Sequence, residues 1–177
     1  MILRQLGEDE AFFRIITPRY AHAPTSGAGA AARGGRFNRP GQEALYLSGT
    51  AETAVLEYQQ AEKLVHPGTL VTFLVSRLQV VDFSQGYVSG SWDPAWADYS
   101  GNWRKIAFEE RSEPPSWLLA DLSRDAGAGG LLFPSVIDAD GINLVVFDST
   151  SLPSSMLRVH DPRNDLPKDA ASWPDPR

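Results

Sequence analysis

Short β-rich runs outnumber helical segments along this chain, and the two do not alternate. Ala44–Ser48 (ALYLS), Thr69–Val75 (TLVTFLV), Gln79–Phe83, Leu131–Phe133 and Ile142–Phe147 read as strands. Thr50 stands where an N-cap belongs, with Glu52 in the first turn, and predicts a helix to about Val65, where His66-Pro67-Gly68 stops it. Pro114-Pro115 precede a second helix over Ser116–Asp125, which Gly127 ends. Asp138-Ala139-Asp140-Gly141 makes a turn between the last two strands. Without a regular βαβ rhythm a doubly wound parallel sheet is excluded, and the class is α+β.

The intervening segments are of other kinds. Residues 24–41, PTSGAGAAARGGRFNRPG, read as an irregular, mobile stretch ahead of the first strand. Ser84–Trp103 carries three tryptophans and reads as a long aromatic loop with one short helix. Five of the 13 prolines fall in the last 25 residues, a tail expected along the surface or partly disordered. With 177 residues the chain suffices for one domain, taken as 1–160 with a proline-rich tail over 161–177.

Composition removes several classes of function. No apolar run approaches the roughly 20 residues that cross a bilayer, and the N-terminus lacks a basic start followed by an apolar stretch. There is no cysteine, so disulfides, thiolate nucleophiles and cysteine-bound zinc are out, and His22, His66 and His160 are scattered. The expectation is a cytoplasmic protein without a metal. The net charge of −6 argues against a nucleic-acid binder, whose affinity comes largely from phosphate contacts. Locally the balance reverses: from Arg14 to Arg39 there are five arginines and no Asp or Glu. Arginine's forked donors suit a phosphate or carboxylate, although a solvated basic face has the same composition.

Familiar nucleotide and hydrolase motifs fail. Gly27-Ala28-Gly29-Ala30-Ala31-Ala32 fits a loose G-x-G-x-x-A pattern, but no strand precedes it and no βαβ unit follows. No phosphate-binding G-x-x-x-x-G-K-[ST] loop, G-x-S-x-G elbow or H-E-x-x-H pair is present. Three polar features survive. In Gly34-Gly35-Arg36-Phe37-Asn38 two glycines permit close backbone approach and an arginine follows at once, which suits an anion as well as a simple turn. On a helical wheel Glu57 falls among Ala51, Ala54, Val55, Tyr58, Ala61, Leu64 and Val65, where a carboxylate must be paired, line a cavity or reach out to water. Glu62 shares that arc. Phe133-Pro134-Ser135-Val136 places a serine directly after a buried strand, as a ligand contact or a turn residue. Tyr46 reads most simply as a core aromatic, and Trp92, Trp96 and Trp103 as a loop packed on the sheet or as stacking surfaces.

GGRFN, ALYLS, AETAVLEY and GGLLFPSV, in that order and after the opening FRIITPRYAHAPTSGAGA, resemble the RES-domain family, the toxins of RES–Xre toxin–antitoxin modules. The resemblance covers about Phe13 to Phe147. It implies an ADP-ribosyltransferase-like fold with small β-sheets flanked by helices and an NAD+ cleft. By motif, the arginine, glutamate and serine that name the family are Arg36, Glu57 and Ser135, which gives the implied catalytic set. The implied NAD+ contacts are Arg14 and Arg36 on phosphate, Tyr46 on the nicotinamide ring and Ser135 on a ribose hydroxyl or phosphate oxygen.

The implied reaction cleaves the nicotinamide–ribose bond and passes ADP-ribose to water, phosphate or a protein side chain, arresting growth. Its oxocarbenium-like transition state is stabilised by a carboxylate at the ribose hydroxyls, the part that falls to Glu57. No metal is required. The implied partner is an Xre-type helix-turn-helix antitoxin that occludes the cleft, and direct contact with nucleic acid or membrane is not expected. The rival readings are a catalytically silent nucleotide-binding module and an RNA-targeting toxin.

Overall fold

The computed structural model describes residues 1–60 and 64–171. The strands are β1 (Leu3–Gln5), β2 (Glu10–Ile16), β3 (Ala44–Ser48), β4 (Thr69–Val75), β5 (Gln79–Asp82), β6 (Gly130–Pro134), β7 (Ile142–Phe147) and β8 (Leu157–Val159). The α-helices are α1 (Ala28–Arg33), α2 (Ala51–Gln59) and α3 (Pro115–Asp125). The eight strands join in the order β1-β5-β6-β7-β3-β2-β4-β8. Only β5 and β6 run parallel; every other neighbouring pair is antiparallel. The α+β class expected from the sequence is what the chain adopts. Among the described residues no helix is long and apolar enough to cross a membrane.

The small sheets of the expected fold are here two leaves of a single sheet. β2 pairs with β4 along its whole length, and β3 pairs with β7 along its own. Between β2 and β3, however, the register holds only Phe13 opposite Ser48. The sheet is therefore continuous in order but hinged at one residue pair, with β1-β5-β6-β7-β3 on one side and β2-β4-β8 on the other. Helix α2 leaves β3 after two residues and packs across both strands of this seam.

Strand periodicity explains how both faces are filled. Along β7, Leu144 and Val146 enter a core with Leu45, Leu47, Phe12, Val71 and Phe73, while Val145 and Phe147 enter one with Phe37, Phe83, Leu119, Leu131 and Phe133. A strand buried on both faces reads as a continuous apolar run, as LVVF does. Trp92 and Trp96 belong to the second core, with ring centroids 4.8 Å from Phe83, so this part of the aromatic loop is packing.

Several expectations need correction. The stretch 24–41 is not wholly irregular, since AGAAAR makes the short helix α1. Two strands precede β3; the charged Glu10 and Arg14 interrupt the apolar pattern of β2, and pairing with β4 makes it a strand regardless. β8 likewise had no sequence signal beyond Leu157 and Val159. The helix predicted to reach Val65 ends at Gln59, where Gln60 turns to φ 51°. Leu64 and Val65 are exposed, so the wheel holds only over its first half, and Ala61 and Glu62 lie outside the described residues. After β8, Asp161 accepts bonds from the N–H groups of Asp165 and Leu166, and Leu166 packs on the first core.

Candidate functional site

A cavity of about 830 Å³ opens at the seam where β2 and β3 separate. Its walls bring together Arg14 of β2, Arg36, Tyr46 of β3, Glu57 of α2, and Asn143 of β7. Ser135, buried just behind, reaches it through Glu57. The five residues singled out from sequence thus come from five separate stretches of chain and meet around one cleft.

The carboxylate is placed by local rules and then fixed by distant ones. Thr50 caps α2 by accepting the Thr53 N–H at 3.0 Å. The Thr53 hydroxyl donates to Asp138 Oδ2 at 2.7 Å, which ties the start of the helix to the β6–β7 turn. Four residues on, Glu57 lies on the same helix face as Thr53 and points the same way. Ser135 Oγ accepts the N–H groups of Ile137 and Asp138 at 3.1 and 3.0 Å, so its own proton goes to Glu57 Oε1 at 2.7 Å. Asn143 Nδ2 donates to the same oxygen at 2.6 Å.

Arg36 sits on a turn that admits almost no variation. Gly34 takes φ 71°, a conformation natural to glycine. A Cβ on Gly35 would collide with Asn38 Oδ1 and with the Tyr46 hydroxyl. That hydroxyl donates to Asn38 Oδ1 at 2.8 Å and accepts the Phe37 N–H at 2.9 Å. Asn38 Nδ2 closes the turn on the carbonyls of Ala30, Arg39 and Gln42, while the Trp117 indole N–H donates to the Gly35 carbonyl at 2.9 Å. Arg36 Nη1 then donates to the carbonyls of Tyr99 and Gly101, at 2.8 and 3.0 Å, so the arginine also fastens the aromatic loop to the cleft.

Electrostatically the cleft is set for an anion. Arg14 makes one hydrogen bond, to the Ser26 carbonyl at 3.4 Å, and neither it nor Arg36 forms an ion pair among the described residues. Burial pulls both guanidiniums below their ordinary value; around Arg36 the Glu57 carboxylate opposes that fall. An arginine taken out of water without a carboxylate partner is costly, and an anionic ligand would relieve that cost. Burial likewise pushes the Tyr46 hydroxyl up, so it remains a neutral donor.

The basic stretch is thereby divided. Arg39, read from sequence with the others, is bonded to Asp121 at 2.7 and 3.0 Å and to Glu113, and stacks over Trp117. It belongs to the support of the turn and not to the cleft. Sequence reasoning missed Asn143, Ser48 and Arg104. The signal for Asn143 was its position as the lone amide in an apolar strand. Arg104 lies over Trp103 at 4.6 Å on the cavity wall and carried no signal of its own.

The model of the RES domain matches residues 11–169. The chain belongs to the RES-domain family. A curated relative, Toxin Res of Yersinia enterocolitica, is 28% identical over 141 residues, covering 76% of this chain and 81% of that protein. A chain of the crystal structure of the M. tuberculosis MbcT–MbcA toxin–antitoxin complex superposes on this RES domain with a TM-score of 0.63 at 20% identity, over 89% of this chain and 84% of that one. At that identity the likeness is one of fold.

Proposed function

We propose that this chain is the toxin of a toxin–antitoxin pair and acts on NAD+, breaking the nicotinamide–ribose bond and passing ADP-ribose to an acceptor. The observation that carries the reading is the pairing, in one cleft, of two guanidiniums without an ion pair among the described residues with a carboxylate one of whose oxygens accepts hydrogen bonds from two protein donors. A dinucleotide offers the complement: a dianionic pyrophosphate for Arg14 and Arg36, and a ribose whose hydroxyls and developing positive charge suit Glu57.

In this reaction the carbon–nitrogen bond breaks with its electron pair leaving on neutral nicotinamide. The acceptor oxygen then bonds to the same ribose carbon and loses its proton. Glu57 serves by charge and by accepting from a ribose hydroxyl through Oε2, since Oε1 is occupied. Tyr46 offers its ring to the nicotinamide while its hydroxyl holds the Arg36 turn, and Ser135 acts by orienting Glu57. The same cleft serves water, phosphate or a protein side chain as acceptor. An Xre-type antitoxin that covers the cleft completes the proposed pair.

The test is nicotinamide release from NAD+ by the purified protein, followed chromatographically with and without phosphate, with Glu57→Gln as the control. Glu57-dependent release supports the reading, and phosphate dependence separates a phosphorylase from a hydrolase or transferase. No release, and no labelled product from labelled NAD+ in cell lysate, overturns it in favour of a silent nucleotide-binding module.

A further inference from the structure

Ser48 and Asn143 face each other directly across β3 and β7. Ser48 Oγ donates to Asn143 Oδ1 at 2.8 Å, and both side chains are buried. The Glu57 carboxylate, which can only accept, decides which way the amide points, and the Ser48 hydroxyl holds it there from the other side. Nδ2 is the end that meets Glu57, at 2.6 Å, which leaves Oδ1 for the hydroxyl proton of Ser48. A flipped amide would turn a carbonyl oxygen toward a carboxylate, two acceptors with no proton between them.

Asn143 and Ser135 both spend their protons on Oε1 of Glu57, and among the described residues no hydrogen bond is formed to Oε2. The carboxylate is thus held by one oxygen and presents the other. The two donors approach from different elements, Ser135 after β6 and Asn143 within β7, so the plane of the carboxylate is set from two directions. The charged and titratable groups around it are Arg14 from β2, Arg36 from the glycine turn, Tyr46 from β3, Tyr58 beside it on α2 and Arg104 from the aromatic loop, with Asp138 bonded to Thr53 at the helix start.

From this arrangement we infer that Asn143, held in place by Ser48, is a positioning residue for the reaction: it fixes the Glu57 carboxylate so that Oε2 alone faces the ribose. The inference rests on the NAD+ reading for its consequence in catalysis, but the orienting contact itself does not. Register makes the device sensitive, because a one-residue slip between β3 and β7 would send Asn143 to the opposite face.

The experiment uses the full chain with Asn143→Ala, Asn143→Asp and Ser48→Ala, and two readouts. The first is kcat and KM for nicotinamide release from NAD+. The second is the titration of the Glu57 carboxyl by carbon-13 NMR on glutamate-labelled protein, assigned with Glu57→Gln. Asn143→Ala is expected to lower kcat roughly 10- to 100-fold with KM within about twofold, the loss of one charge-assisted donor. It should also raise the Glu57 titration midpoint, since the ionised form loses a donor. Asn143→Asp should split the titration into two coupled steps with the upper one shifted further, as two carboxylates share a proton. Ser48→Ala should move both readouts the same way by less, and it serves if Asn143→Ala does not fold.

An unmoved Glu57 titration in Asn143→Ala, or in Ser48→Ala if the first does not fold, overturns the inference, even with a loss of rate. A moved titration with unchanged kcat in an active protein overturns it equally. If the wild type releases no nicotinamide, the NAD+ reading fails, and the titration alone still decides whether Asn143 holds the carboxylate.

Discussion

Gly35→Ala tests how the Arg36 turn is built. The backbone at Gly35 does not need a positive φ, so the obstacle is space alone. An added Cβ would lie on top of Asn38 Oδ1 and the Tyr46 hydroxyl and 2.8 Å from Tyr46 Cζ. Neither neighbour can swing aside. Asn38 is 1% exposed and its amide is committed to three backbone carbonyls, while the Tyr46 hydroxyl is held by Asn38 and by the Phe37 N–H. Making room breaks both Tyr46 bonds, each worth about 1 kcal/mol net, and leaves the Phe37 N–H without its partner. With the overpacking itself, the expected destabilisation is about 2–4 kcal/mol. Urea unfolding of Gly35→Ala, Tyr46→Phe and the double variant measures it. Removing the hydroxyl removes one of the three close approaches and frees the ring to shift, so the double variant should be less destabilised than the two singles together, by at least about 1 kcal/mol. A Gly35→Ala protein within about 0.5 kcal/mol of wild type, or strictly additive singles, refutes the account.

Glu57→Gln is expected to keep the fold and bind NAD+ while abolishing nicotinamide release and growth arrest, because it loses charge and little volume; calorimetric binding and the release assay check it. Arg36→Ala should weaken NAD+ binding by a few kcal/mol and, by freeing the Tyr99 and Gly101 carbonyls, speed amide hydrogen exchange around residues 99–103; normal affinity would remove Arg36 from the phosphate role. Asp9 accepts two bonds from Arg158 and one from Ser76, which hold its carboxyl down at about 2, below the ordinary 3.8. A depressed carboxyl pKa contributes stability that is present above the ordinary value and lost as pH falls toward the folded one, so Asp9→Asn should flatten the fall in stability between about pH 4 and 2. Identical acid-unfolding curves for Asp9→Asn and wild type would contradict it.

The sequence by itself determined what depends on neighbours a few residues apart. The α+β class, the strands β3, β4, β5, β6 and β7, the helix α3, the Thr50 cap and the glycine turn before Arg36 follow from local propensity, period-two patterning and turn chemistry, which act over one or two turns of chain. The ordered GGRFN, ALYLS, AVLEY and FPSV motifs carried the family as well. Only the tertiary structure decided the rest. β2 and β8 are strands because long partners pair with them, not because of their own composition. The cleft exists because β2 and β3 pair at a single position, and nothing in either strand announces where pairing will lapse. Of the arginines that look alike between residues 14 and 39, Arg39 found Asp121, 82 residues away, while Arg14 and Arg36 found the cavity. Glu57 acquired its two donors from positions 78 and 86 residues further along the chain. Hydrogen-bonded pairing across a sheet is set by register between distant segments, and a single sequence records each strand's pattern but not which partner it meets.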